Sequence, residues 1–367
     1  VNLSIIKEIR PGENRVALTP NVCAQLIKYG HQVQLESGAG YASNFSDEMY
    51  LSAGCNVSNQ TEILKSAEVL LMVNPPTIEL VQQMPEQAVL ISFLYANNNA
   101  ELMEALTQKK ISAFSMDAIP RISKAQNMDA LSSQANLAGY KAVITGADYL
   151  GKIFPLLMTA AGTVTPAKVL IYGAGVAGLQ AIATAKRLGA IVECTDVRPE
   201  TKEQIESLGG KFIEVKGADA AKVEGGYAKE VSADYLQKQK EAVNKSLFQA
   251  DLVITTALVM GKKAPVLITA EQIKQMKLGA VVVDMAVEQG GNCELSQLDK
   301  VVVENGVSIV GKSNLPSLLP QNASELYAKN IQNLLMYLAD VNLFHFDLND
   351  EITKGTLITH NGTQLKA

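Results

Sequence analysis

Residues 168–198, KVLIYGAGVAGLQAIATAKRLGAIVECTDVR, leave this chain few folds to adopt. Residues 169–172 form a short apolar run that reads as a buried strand. Gly173, Gly175 and Gly178 follow in the spacing G-x-G-x-x-G. The pattern then predicts an amphipathic helix from Val176 to about Leu188, with Gly189 at its C′ position. A second strand, 191–195, ends at Asp196. Each piece has a physical reason. Gly173 permits a tight turn, Gly175 lets a pyrophosphate approach the backbone, and Gly178 lets the helix pack closely on the strand. The unpaired N–H groups at the helix start favour a phosphate. Asp196 stands where a carboxylate accepts hydrogen bonds from the adenosine ribose and repels a 2′-phosphate. The stretch reads as a dinucleotide site that prefers NAD(H) to NADP(H). The alternative is a glycine turn in an α/β sheet with nothing bound.

The rest of the chain repeats the alternation of strand and helix. Strands are expected at 3–9, 32–36, 69–73, 89–93 and 112–116, and again at 212–215, 251–256, 280–284, 301–304 and 308–310. Helices are expected at 19–29, 61–66, 100–108, 136–149, 199–208, 234–248 and from Asn322, with Glu325 as a capping box, to about residue 341. Such alternation implies mostly parallel sheets covered on both faces. With 367 residues, nearly half of them apolar, the chain has material for two cores. The fold class is α/β, with two doubly wound Rossmann-like domains. The first takes residues 1–131 and 320–345. The second, the NAD(H)-binding domain, takes 132–319 and carries a long loop, 216–233, read as a mobile lid against the alternative of a solvated insertion. Residues 346–367 show no sustained period and are expected to be a loosely packed tail or linker.

Several classes of function are excluded or disfavoured. A net charge of −5 argues against a nucleic-acid partner. No apolar run approaches the about 20 residues that a membrane span needs, and no secretory signal is expected. Cys23, Cys55, Cys194 and Cys293 are far apart in sequence without a C-x-x-C, so reduced, buried thiols are expected. The three histidines, His31, His345 and His360, form no metal-ligand pattern, and no metal is expected. A dehydrogenase acting on an alcohol, amine or keto acid moves a proton as well as a hydride, commonly through His or Lys. The scarcity of histidine argues against that chemistry.

With these residues in view, the chain resembles the NAD(H)-binding component, domain I of the alpha subunit, of the proton-translocating nicotinamide nucleotide transhydrogenases. The stretch RISKAQNMDALSSQANLAGYKAV, residues 121–143, carries most of the resemblance. GGYAKE, ITTALVMGKKAPVLI and VDMAVEQGGNC add to it. The family is related to the alanine dehydrogenases, which supply the competing reading of an NAD-dependent amino-acid dehydrogenase. Those enzymes have a Lys and a His where this chain has Asn74 and Tyr95, and an Asp that aligns with Glu288. Arg15, which would hold a substrate carboxylate, is retained and is expected to stabilise its loop. A non-catalytic NAD(H)-sensing module is a third reading.

The resemblance implies site residues. Arg121, Gln126, Asp129 and Ser132 would be the catalytic set, and Ile122, Ser123, Asn127 and Met128 would line the cofactor beside them. Asp129 and Ser132 would bind the nicotinamide carboxamide. Arg121 would orient it and pair with Asp129, and Gln126 would reach the ribose of NADP(H) on a partner. Besides the three glycines, the cofactor would touch Val176, Asp196, Val197 and Arg198, then Gly226, Tyr227, Gln239 and Leu258 around the lid and adenine pocket. The resemblance also implies partners: the NADP(H)-binding domain of a beta subunit, a membrane-spanning domain and a second copy of the chain, with residues 154–165 expected in the homodimer interface. It implies a peripheral component on the cytoplasmic face of the inner membrane, or on the matrix side.

Overall fold

A computed structural model describes residues 1–214, 233–259, 262–340 and 343–366. The chain divides into two compact units, Val1–Gln134 with Pro316–Ala367, and Ala135–Leu315. The expected lid, apart from its last residue, lies outside the described residues, as do Gly226 and Tyr227.

The first unit is an eight-stranded sheet. Its first six strands in sequence, Asn2–Ile5, Gln32–Glu36, Asn56–Ser58, Val69–Leu71, Val89–Ser92 and Ser112–Ser115, are parallel and stand in the order 3-2-1-4-5-6. That is the doubly wound order, whose switch point lies between strands 1 and 4. Central strands such as Val69–Leu71 are buried throughout, because helices cover both faces. The core gathers Leu3, Ile5, Leu71 and Ile91 with Tyr327, Ile331 and Leu334 of helix Pro320–Leu338. That helix starts at Pro320, whose fixed φ and missing N–H suit the first helical position. Asn322 is therefore inside the helix and not its cap. It bonds Glu325 side chain to side chain at 3.1 Å.

The expectation of a loosely packed tail is overturned. Strand Leu357–His360 pairs antiparallel with Ser112–Ser115 and turns back through Asn361 and Gly362 into Thr363–Gln364. Asn361 and Gly362 have φ of 47° and 78°, as a two-residue hairpin turn requires. Leu357 is fully buried, and Phe344 and Phe346 pack on Phe114. The strands are too short to show a period, but the Asn-Gly pair was their signal.

The second unit repeats the plan. Lys168–Tyr172, Ile191–Thr195, Lys211–Phe212, Leu252–Thr255, Val281–Asp284 and Val307–Val310 are parallel, again in the order 3-2-1-4-5-6. Val301–Glu304 is added antiparallel at one edge. Helix Ala130–Tyr149 begins in the first unit, and its small residues permit close packing. A Cβ on Gly139 would lie 2.1 Å from the Ala177 carbonyl oxygen, and one on Gly146 would lie 2.4 Å from Leu252. Residues 154–165 include a hairpin, Leu157–Thr159 with Gly162–Val164, exposed along both strands.

Candidate functional site

The glycine fingerprint sits at the carboxyl end of strand Lys168–Tyr172. Gly173 has φ 98°, and a Cβ there would meet Thr256 Oγ1 at 2.5 Å. A Cβ on Gly178 would fall 1.8 Å from the Gly173 carbonyl oxygen. Both positions are closed by the fold itself. Gly175 is different: its φ is −76° and, among the described residues, a Cβ would meet nothing within 4 Å. None of the described residues requires glycine there, so the open side is what a ligand's approach would use. Gly175 is the N-cap of helix Val176–Arg187 and supplies no side-chain cap. The first amides of that 12-residue helix face the same opening, with the positive end of the helix dipole behind them. This cradle fits a pyrophosphate.

Asp196 lies beside it and is largely buried. One carboxylate oxygen accepts from Ala174 N at 2.7 Å, inside the fingerprint, and from Arg198 Nη2 at 3.0 Å. The other accepts from Arg198 N at 2.8 Å and Nε at 2.9 Å. Burial opposes ionisation, but Arg198 and the two backbone amides outweigh it and hold the carboxyl below its ordinary value. Asp196 thus braces the glycine turn and takes up the Arg198 guanidinium. Val176 is partly exposed and Val197 almost fully. Gln239 is half-buried on helix Ala233–Leu247, and Leu258 is exposed after strand Leu252–Thr255.

Two residues in this unit were not legible in the sequence. Thr256 Oγ1 donates to the carbonyls of Tyr172 and Gly173. Buried Asn292 accepts from Ala257 N and donates to the carbonyls of Ala257 and Pro265, fixing the segment that bears Leu258. Both lie in stretches that add to the resemblance, 254–268 and 283–293, but no spacing singles them out; the sheet brings them there.

The 121–132 segment belongs to the first unit. Ala125 and Met128 are buried anchors in the turn Ser123–Met128, while Arg121, Ser123, Gln126 and Asn127 are exposed and Ile122 is half-buried. Helix Pro320–Leu338 holds the turn: Asn330 and Asn333 donate to the Asn127 carbonyl at 2.9 and 3.1 Å, and Lys124 bonds Tyr337 OH at 2.8 Å. Asp129 accepts from Ser132 N at 2.9 Å and from Ser132 Oγ at 2.5 Å, which is how a helix start is capped. The expected Arg121–Asp129 pair is not formed. The cap takes up the Asp129 carboxylate within its own turn, and Arg121 points to solvent.

At the switch point of the first sheet lies a buried polar cluster. Arg15 donates from Nε and Nη2 to Glu13 at 2.8 and 2.7 Å, and from Nη1 to Gln134 Oε1 at 2.9 Å. Asn74 Nδ2 donates to Glu8 and to Glu13, each at 2.9 Å. Burial would raise Glu13, but Arg15 holds it down at about 2. Among the described residues Glu8 has no such cation, and burial pushes it up from 4.5 to about 7. A group raised on folding lends stability below its unfolded value and loses it as pH rises, here through about 7. In protein labelled at the glutamate carboxyl carbon, one resonance is expected to titrate near pH 7 and to vanish in Glu8→Gln. A set that titrates wholly below pH 5.5 would contradict this. Tyr95, with φ 46°, stacks on Phe93 at 5.7 Å. The cluster presents an amide and a phenol where a proton-shuttling reduction needs Lys or His.

All four cysteines are buried free thiols. Among the described residues no His/Cys/Asp/Glu group could hold a metal, and no helix is long and apolar enough to cross a membrane.

The chain resembles known proteins along nearly its whole length. The family description "Alanine dehydrogenase/PNT, N-terminal domain" matches residues 4–138, and "Alanine dehydrogenase/PNT, C-terminal domain" matches 142–367. The chain is 50% identical to the first polypeptide of the NAD(P) transhydrogenase alpha subunit of Rhodospirillum rubrum, over 99% of this chain and 97% of that protein. Among solved structures, a transhydrogenase from Sinorhizobium meliloti matches with a TM-score of 0.90 at 43% identity, covering 99% of this chain and all of that one. An L-alanine dehydrogenase matches with a TM-score of 0.84 at 26% identity, covering 100% and 97%.

Proposed function

Because this chain belongs to the alanine dehydrogenase/PNT family, among the NAD(P) transhydrogenase alpha subunits, we propose that it binds NAD(H) for direct hydride transfer to NADP⁺ on a separate domain. The observation that supports the reading is a pairing: a cradle that fits a dinucleotide pyrophosphate, and an amide at Asn74 and a phenol at Tyr95 where a keto-acid reduction would use Lys and His. Bound NADH supplies a hydride to C4 of the NADP⁺ nicotinamide, and the products balance without a proton donor. What the protein must contribute is binding and orientation.

The residues divide that work. The backbone at Gly173, Gly175 and Gly178 and the first amides of helix Val176–Arg187 receive the pyrophosphate. Asp196 accepts from the adenosine ribose and, by holding Arg198, keeps that cation from serving a 2′-phosphate. Val197, Leu258 and Gln239 border the adenosine. Asp129 and Ser132 take the carboxamide NH₂; the Ser132 hydroxyl proton is already given to Asp129, so both act as acceptors. Arg121 and the neighbouring Ile122, Ser123, Asn127 and Met128 frame the nicotinamide end, and Gln126 reaches toward the NADP(H) ribose. Gly226 and Tyr227 complete the cofactor's contacts. Asp196→Ala is expected to weaken NADH binding about tenfold and to narrow its advantage over NADPH; an unchanged dissociation constant by calorimetry would refute the ribose contact.

The partners rest on the chain's membership of the transhydrogenase alpha subunits: NADP(H) on a beta-subunit domain, and a membrane domain that carries the protons, with this component at the cytoplasmic face of the inner membrane or on the matrix side. The hairpin supports a homodimer: Leu156, Leu157, Met158 and Val164 are all exposed apolar side chains on one short feature. Met158→Glu is expected to sediment as a monomer, and an unaltered dimer would remove the hairpin from the interface. The alanine dehydrogenase reading is the weaker one, because Asn74 is held by two carboxylates and Tyr95 by a ring stack. The transfer itself is tested with NADH deuterated at C4: deuterium must appear in NADPH, with none entering from D₂O. Label arriving from solvent would overturn direct transfer.

A further inference from the structure

Cys23 and Cys55 lie far apart in the sequence and together in the fold. Cys23 is fully buried on helix Pro20–Lys28. Cys55 follows Gly54, whose φ of +92° turns the chain after helix Asp47–Ser52 and seats it on that first helix: a Cβ on Gly54 would lie 3.4 Å from Ile27 Cδ1. Cys55 N donates to the Tyr50 carbonyl at 3.0 Å, which fixes the turn. Both side chains belong to the apolar cluster with Leu26, Phe45 and Tyr50, and the packing of Gly54 on Ile27, one helical turn after Cys23, brings the two thiols within interacting reach.

The geometry points to Cys23 and Cys55 as an oxidisable dithiol, a modification site that hydrogen peroxide converts to a disulfide. The two thiols are not equivalent. Interaction with the Cys23 S–H holds the Cys55 thiol below its ordinary range, while burial, foremost, pushes Cys23 well up. Cys55 therefore loses its proton first. It also lies nearer the solvent: its chain neighbours Gly54 and Asn56 are exposed, and the strand it enters, Asn56–Ser58, is the edge of its sheet. The Cys55 thiolate attacks one oxygen of the peroxide, breaking the O–O bond and releasing hydroxide, which takes up a proton as water; Cys55 becomes a sulfenic acid. The Cys23 sulfur then attacks the Cys55 sulfur, expelling a second water. Two thiols are oxidised by two electrons, and one peroxide is reduced to two waters. The product ties the first helix to the far edge of its sheet.

Cys194 and Cys293 act as internal controls. Burial pushes them up to about 12 and about 11, and among the described residues neither has a thiol partner.

The test treats the full chain with hydrogen peroxide, unfolds it, blocks remaining thiols with N-ethylmaleimide and digests it without reductant. The expected result is one linked pair of peptides, Cys23 with Cys55. Titratable thiols fall from four to two, and the thermal midpoint of the oxidised chain rises and returns with dithiothreitol. In Cys23→Ser the link is lost and Cys55 is trapped by dimedone as sulfenic acid. The wild-type digest stands without that variant. Alkylation of both Cys23 and Cys55 after peroxide, separate overoxidation of each, or a link through Cys194 or Cys293 would overturn the proposal.

Discussion

Gly175→Ala is expected to fold as the parent chain does and to bind NADH about a hundredfold more weakly, about 2.7 kcal/mol. The reasoning separates the three glycines of the fingerprint. An added Cβ at Gly178 strikes the Gly173 carbonyl oxygen at 1.8 Å, and at Gly173 it meets Thr256 as well as an unfavourable φ of 98°. Those substitutions damage the protein and say little about a ligand. At Gly175 the backbone is extended, as any residue permits, and a Cβ enters open space. Among the described residues it obstructs nothing, so its effect falls on what lies against the helix N-terminus. Calorimetry for NADH with a thermal melt as control checks the claim. Unchanged affinity would mean that the pyrophosphate does not lie there; a collapsed melt would mean that the open space is needed by the fold.

Gln126→Asn is expected to slow hydride transfer about a hundredfold while changing the NADH dissociation constant less than about threefold. The side chain is exposed on a turn whose anchors, Ala125 and Met128, are buried and whose backbone is held by Asn330 and Asn333. Shortening it by one methylene leaves the turn in place and keeps the amide chemistry. What changes is reach, and a misplacement of about 1 Å costs about a hundredfold when two rings must meet in line. Single-turnover kinetics with NADP⁺ on its partner domain supply the rate, and calorimetry supplies the affinity. Equal losses in both would assign Gln126 to the NADH site alone.

The fold was largely legible because its signals are local. Helices Val176–Arg187 and Ala100–Gln108 have an apolar face and a stop, and strand Ile191–Thr195 is bounded by Ala190 and Asp196. The doubly wound class follows from the alternation. Less legible were elements of three to six residues, such as Asn56–Ser58 and Ile78–Gln83, which are too short to show a period. The C-terminal strand was lost for the same reason, despite its Asn-Gly turn. At the candidate site, the glycine turn and the acid that braces it were readable because G-x-G-x-x-G and the strand end at Asp196 are local signals. Thr256 and Asn292 were not, since they reach the fingerprint and its neighbouring segment only through the sheet. Asp129 has a second role that its spacing did not show: it caps its own helix, and the expected pair with Arg121 is not formed.

The central claim is tested most directly by following NADH oxidation in two parallel mixtures of the purified chain. One contains an NADP⁺-loaded beta-subunit domain; the other contains pyruvate and ammonium and no partner. The account predicts oxidation in the first alone, with NADPH formed in equal amount. Oxidation in the second alone would contradict it, and would show that an amide at Asn74 and a phenol at Tyr95 suffice for amino-acid dehydrogenase chemistry.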